Sequence, residues 1–356
     1  MNARVAAVLL VLLVALGGGA LLTYRQQQAA HAPAAERLGQ PVVPNLQAAD
    51  IAAIELRGPS GKLTLQRRDG QWTVAERAGF PADAERVRQL VLGVLELKVG
   101  QSERIGEKDR ARLKLDDSGT RLEFRGADGR VLALLIVGKK YFRHEPADPD
   151  KASADGRFVL RPDAPGTVDI VADPLGLATP SSAAWVSKAG FGAEKVKVME
   201  VDMPGVGKWR IARTKDDSDW KLTPLYAGES LDAIRANSAS YSLNRIEIDD
   251  VAAPGMRPDE TGLDRPSTIV ATTFDGLTYT VKVGKARGDD YYVTVWISGE
   301  PRTTGPDAAA RAKQIAERLP REKALAGQVL LVARSKFEDI LKKRPELLAP
   351  KDAAKK

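Results

Sequence analysis

The chain has 356 residues, 43% hydrophobic, 28% charged and 5% aromatic, with a formal net charge of +7. That is enough apolar material for two ordinary cores and too much for a disordered chain. The basic residues form no block, which argues against nucleic-acid binding; with no cysteine and only His31 and His144, zinc, iron–sulfur and thiolate chemistry are all but excluded and no cofactor is implied.

The N-terminus begins "MNAR", followed by the uncharged run Val5 to Leu22 and then "TYRQQQ". Eighteen such residues lie at the lower end of what spans a bilayer and above a usual signal-peptide core. An uncleaved single-pass anchor over 1–25 is favoured over a cleaved signal, because the small-residue site at Ala30 to Ala32 is followed by Pro33. Arg4 and the positive-inside rule would keep the N-terminus cytoplasmic and place the bulk in the periplasm, anchored in a bacterial inner membrane. Residues 26–50, rich in Ala, Gln and Pro, read as a tether.

From there the chain says something similar twice. "IAAIELRGPSGKLTLQRRDGQW" (51–72) and "VKVMEVDMPGVGKWRIARTKDDSDW" (196–220) each hold an alternating run, a Pro/Gly turn, Gly-Lys-x-x-(Leu/Ile)-x-Arg and a closing tryptophan, Trp72 or Trp220. Asp83 then caps a helix whose Val87, Leu90, Val91 and Val94 have the spacing of one buried face. Asp232 opens a weaker counterpart with Ile234 and Tyr241 on one side. Next come "KLDDSGTRLEFRGADGRVLALLIVGKK" and "GLDRPSTIVATTFDGLTYTVKVGKA", each a Leu-Asp turn and two strands ending at Gly138 or Gly284. The intervals Trp72–Gly138 and Trp220–Gly284, 66 and 64 residues, keep step. "GRFVLRPDAPGTVDIVADPL" and "GQVLLVARSKFEDILKKRPEL" each read as a strand followed by a helical turn.

The predicted fold is therefore α+β: two repeated, mostly antiparallel sheet domains over 51–188 and 193–349, each with one main packed helix, then a solvated tail at 350–356. The second repeat carries an inserted charged helical segment at 307–326, the one feature that the repetition does not demand. Insertions on a repeated scaffold often carry the binding role, so Arg311, Lys313, Gln314, Glu317 and Arg318 are the candidate partner-binding residues. Trp72, Trp220, Asp83, Asp232, Gly138, Gly284, Leu263, Asp264 and Pro266 mark structure.

Other motifs favour plain readings. "PGVGKWRIART" is not a phosphate loop: Asp202 stands five before Gly207 where a glycine is needed, and Trp209 where Ser or Thr would hold magnesium. "KAGFGAEK" (188–195) lacks a third glycine and reads as a linker. His144 reads as solvent-facing, and Asp116-Asp117, Asp216-Asp217 and Asp249-Asp250 as solvated turns. The paired tryptophans read as core, and Lys139, Lys140 and Lys285 as solvated. No histidine serves two equivalent sites, so catalytic residues are not assigned.

The "PADAERVRQLVLGVLEL" helix and "GLDRPSTIVATTFDGLTYTVKVGKARGDDYYV", together with "GQW", "SDW" and the apolar N-terminus, resemble a bacterial family known as domain of unknown function 4340. Gly262, Leu263, Asp264, Pro266 and Gly284 carry the fuller pattern; the first repeat has Lys114 in place of the glycine and Ser118 in place of the proline. The resemblance implies a membrane-anchored envelope protein, in some members accompanying gliding-motility-type ABC transporter components, with no catalytic residues to carry over. The expected function is a non-catalytic accessory or scaffold with a protein partner in the envelope. A binding module for a glycan, lipid or peptide is the second reading, and a carboxylate-dependent hydrolase the third.

Overall fold

The computed structural model describes residues 37–304 and 307–350, so the apolar run Val5 to Leu22 lies outside the described residues. Among the described residues no helix is long and apolar enough to cross a membrane. The chain divides into two compact units. One runs through Ala75 and then over Ala82–Ser181; the other takes Glu76–Pro81 and the chain from Ser182 on.

The first sheet is assembled from β1 (Ala53–Gly58), β2 (Gly61–Arg68), β3 (Gln71–Val74), β4 (Phe80–Pro81), β5 (Val99–Arg104), β6 (Thr120–Arg125), β7 (Val131–Tyr141), β8 (Gly156–Leu160) and β9 (Thr167–Val171). Their order is β4-β3-β2-β1-β6-β7-β8-β9-β5. Helix α1 (Ala84–Leu95) buries Val87, Leu90, Val91 and Val94, and its N-cap Asp83 accepts from the Arg86 N–H. A second, short helix, α2 (Glu107–Arg112), precedes the turn into β6.

In the second unit, β10 (Ala189–Phe191) is followed by β11 (Val196–Met203), β12 (Gly207–Ala212), β13 (Lys221–Thr223), α3 (Ala233–Tyr241), β14 (Ile246–Glu247), β15 (Asp250–Val251) and α4 (Pro258–Thr261). The chain continues through β16 (Ser267–Thr273), β17 (Leu277–Arg287), β18 (Asp290–Gly299), α5 (Ala308–Lys323) and β19 (Leu330–Ala333). The main sheet runs β13-β12-β11-β16-β17-β18-β19-β15, and β10 pairs separately with β14. Strand for strand, this is the path β3-β2-β1-β6-β7-β8-β9-β5 of the first sheet.

The matching turns have matching backbones. Gly61 and Gly207 stand at φ 139° and 140° in the β1–β2 and β11–β12 hairpins, where Lys62 pairs with Glu55 and Lys208 with Asp202. Lys208 therefore begins a strand. Gly138 and Gly284 each pass so close to the preceding helical turn that a Cβ would collide with a carbonyl oxygen, of Leu113 in one case and Thr261 in the other. Mostly antiparallel sheets with few helices are what the α+β expectation required.

Several expectations need correction. The stretch read as tether is packed from Arg37: Val42 and Leu46 are buried, and the Gly39 and Val42 N–H groups donate to Val99 and Leu97. Its two apolar contacts have no period that a sequence scan would register. Residues 167–171 form strand β9, not a helical turn; in the second unit the equivalent strand is β19, so β18 belongs to the shared frame and the insertion lies between β18 and β19. Helix α3 is turned the other way from its expected face. It buries Ala236, Ala239 and Ser240, while Ile234 and Tyr241 are 77% and 56% exposed. Small residues bring this helix close to β11 and leave its large side chains outside.

Trp220 is buried and donates to Asn237, whereas Trp72 is half-buried. Leu263 is half-buried and Asp264 exposed in the turn before β16, with Pro266 next to the strand. Lys114, which occupies the glycine position of the motif, is held at φ 54°, close to the 72° of Gly262. A non-glycine residue there carries a left-handed penalty of about 1–2 kcal/mol, partly offset by the greater chain entropy that glycine loses. Lys114→Gly is expected to raise stability by up to about 1 kcal/mol. Gly262→Ala should lower it by roughly 2 kcal/mol, since its Cβ would meet the Lys285 backbone. Thermal or denaturant melts of the two variants check both signs.

Candidate functional site

Where the first unit joins β8 to β9 directly through 161–166, the second joins β18 to β19 through 300–329, which holds α5. Helix α5 buries Ile315 and Leu319, and packs beside β18. The amphipathic spacing of these two residues, four apart, would orient the helix; the charges around them lock it.

The lock is built from residues distant in sequence. Glu194, just after β10, forms ion pairs with both Arg311 and Arg318, the latter at 3.3 Å. Asp275, buried in the β16–β17 turn, accepts from Arg311 Nε at 2.9 Å and from its Nη2 at 2.7 Å. Arg318 donates to the Gly192 carbonyl at 3.0 Å and lies 3.4 Å from Glu322. The other oxygen of Glu322 accepts from the Tyr279 hydroxyl at 3.0 Å. Tyr279 is itself fully buried and stacked with Phe191 of β10, ring centroids 6.3 Å apart.

This network explains "KAGFGAEK". A Cβ on Gly190 would collide with the Ile246 carbonyl, and one on Gly192 with that of Asn244. The glycines allow β10 to lie against β14 and bring Glu194 under α5, so the segment is a built part of the second unit and not a linker. Lys188, Gly190, Asn244, Arg245, Arg318 and Arg321 line part of an open cleft of about 500 Å³ there.

The five candidate partner-binding residues thus separate into two groups. Arg311 and Arg318 turn inward, with side chains 15% and 21% exposed, and are consumed by the lock. Lys313, Gln314 and Glu317 face out. Glu194, Asp275 and Glu322 were not singled out in the sequence; the visible signal was only that α5 carries two arginines seven apart beside its apolar positions, in want of acids.

Other motifs fall apart or change character. His144 is exposed, and among the described residues no group of His, Asp and Glu is placed to hold a metal ion. Asp116, Asp117, Asp216 and Asp217 are exposed as expected. Asp249-Asp250 is not a solvated turn: Asp250 is buried in β15 and clasped by Arg77, Nε to Oδ1 at 2.9 Å and Nη2 to Oδ2 at 2.7 Å. Burial, and then the neighbouring Asp249, pushes the Asp290 carboxyl above its usual range. Lys140 donates to the Pro149, Asp150 and Ala152 carbonyls and Lys285 to that of Asp259, so both tie loops down; Lys139 is exposed.

Burial also pushes the Glu322 carboxyl above the ordinary glutamate range, against the opposing pull of Arg318 and of the Tyr279 hydrogen bond. The Tyr279 hydroxyl is raised as well, first by burial and then by Glu322, so it remains a donor. A carboxyl with a raised pKa binds its proton more tightly folded than unfolded. Its contribution to stability therefore falls as pH rises from the unfolded glutamate value through the folded one. Glu322→Gln removes that dependence. Between about pH 4 and pH 8 the difference in Tm between variant and parent should move in the variant's favour as pH rises, checked by parallel thermal melts.

A family model described as domain of unknown function (DUF4340) matches residues 72–266, beginning at Trp72 in β3 and ending at Pro266 before β16. No curated protein and no solved structure matches the chain.

Proposed function

The chain belongs to the family described as domain of unknown function (DUF4340), and on that premise we propose that it is a non-catalytic accessory or scaffold protein of a cell-envelope complex. In this reading residues 1–25 anchor it in the inner membrane, the two sheet units stand in the periplasm, and the complex is an ABC-type transport system. The uncharged run from Val5 to Leu22 supports the anchor, and the resemblance to membrane-anchored envelope proteins supports the setting.

The observation that carries the scaffold reading is the way α5 is mounted. Two of its arginines are consumed in holding it, and Lys313, Gln314 and Glu317 project from a helix that has no counterpart between β8 and β9 of the first unit. Such a helix presents a rigid polar surface, so a partner would lose little conformational freedom in meeting it. Its buried side also says how to test it. Removing 307–326 would strip Ile315 and Leu319 from the core and confound binding with unfolding.

The test is cross-linking of the full-length protein in native membranes, then affinity capture and mass spectrometry. ABC transporter subunits are expected among the captured proteins. The triple variant Lys313→Ala, Gln314→Ala, Glu317→Ala should lower their recovery severalfold with an unchanged Tm. Recovery of the protein alone, or equal recovery with the variant, would overturn the reading.

A further inference from the structure

The second sheet has a face turned away from α5, which packs on the Tyr279 side; its composition is set by strand alternation, and α4 covers its end at Gly284. Along the middle of β16, β17 and β18 the buried positions of one face include Ile269, Ala271, Tyr279, Val281, Val293 and Val295; on the alternate face Tyr292 is also buried, beside Met256. The alternate positions are Thr268, Val270 and Thr272, then Thr278, Thr280 and Lys282, then Thr294, Trp296 and Ser298. Register aligns them into rows, one of which runs Glu200, Val270, Thr280, Trp296 across four strands. At a strand spacing of about 4.8 Å the row spans roughly 14 Å.

Trp296 is 61% exposed. Trp185, Trp209 and Trp220 are buried and Trp72 is half-buried, so Trp296 is the indole that the chain leaves in solvent among the described residues. An exposed indole costs solvation and gains nothing in the core. At the other end of the row lies a depression of about 420 Å³, lined by Glu200, Asp202, Lys208, Arg210, Thr268 and Val270 among others.

Charge separates the occupants that such a face could take. Asp202 is paired with Lys208 at 2.6 Å and Glu200 with Arg210 at 2.9 Å, so these four charges cancel in place. What remains is a field of hydroxyls, one indole and Lys282. That near-neutral surface has little to attract an acidic peptide or an anionic bilayer. It suits a polyhydroxylated ligand. The C–H face of a pyranose ring is apolar and packs on an indole, while its equatorial hydroxyls reach sideways to hydroxyl, guanidinium and carboxylate partners.

We propose that this face binds a linear glycan, with one ring stacked on Trp296 and the chain crossing Thr280 and Val270 toward Glu200 and Arg210. The site does not involve α5, so it stands or falls independently of the scaffold reading. Full-length protein in detergent is titrated separately with chitohexaose, cellohexaose and mannohexaose, by tryptophan emission and by calorimetry. At least one glycan is expected to give a saturable change in emission. By calorimetry its affinity should fall at least about tenfold in Trp296→Ala, and less in Trp296→Phe, which keeps an aromatic ring. The α5 surface variant should bind as the parent does. Because Trp296 is exposed, its variants should keep the parental Tm. Saturation by none of the three glycans, or unchanged affinity in Trp296→Ala, would overturn the proposal. So would Trp296-dependent binding of an oligoglutamate peptide in their place.

Discussion

The carboxylate of Glu194 is the point on which the distinctive part of the second unit depends. It receives two arginines of α5, and those arginines bring Asp275 and Glu322 into one connected set. In this half-buried network Asp275 and Glu322 are the buried members, and each depends on its partners because a buried charge left unpaired costs several kcal/mol. Gly190 and Gly192 are part of the same constraint, since without them β10 could not lie where Glu194 is needed. The lock fixes a helix, and the fixed helix is what gives the unit a surface of its own.

The two sheets show how one path tolerates different detail. Strand order is shared, and so are the close passages at Gly138 and Gly284, each under a helical turn. Lys114 holds the left-handed backbone that Gly262 adopts freely, so the two turns share a conformation that only one of them fills with the residue best suited to it. Helices α1 and α3 occupy equivalent places in the chain but pack through different surfaces, large aliphatic side chains in one and alanines in the other. The shared path leaves the β18–β19 connection free to carry α5 and the outer face of the second sheet free to carry Trp296.

The carboxyls that burial pushes up, Glu322 and Asp290, face Arg318 and Tyr279 in the first case and Asp249 in the second. The residues that face outward with something specific to offer are the polar stripe of α5 and the threonine and tryptophan field of β16 to β18. These are two separate surfaces of one unit, one charged and the other rich in hydroxyls around a single indole.

Much of this was determined by the sequence alone: the repetition, the hairpins with their Gly-Lys starts, the Asp83 and Asp232 caps, and the buried stripe of α1. Each depends on neighbours in the chain, where a turn residue, a cap or a period of 3.6 is sufficient information. Tertiary structure alone decided the rest. The direction in which α3 faces follows from how closely Ala236 and Ala239 let it approach β11, which no periodicity of its own residues encodes. Asp250 in a strand is explained by Arg77, and Arg311 and Arg318 by Glu194 and Asp275, partners far away in sequence. Charged side chains look alike in a sequence whether they face water or a counter-ion, because their burial is set by what the fold places opposite them.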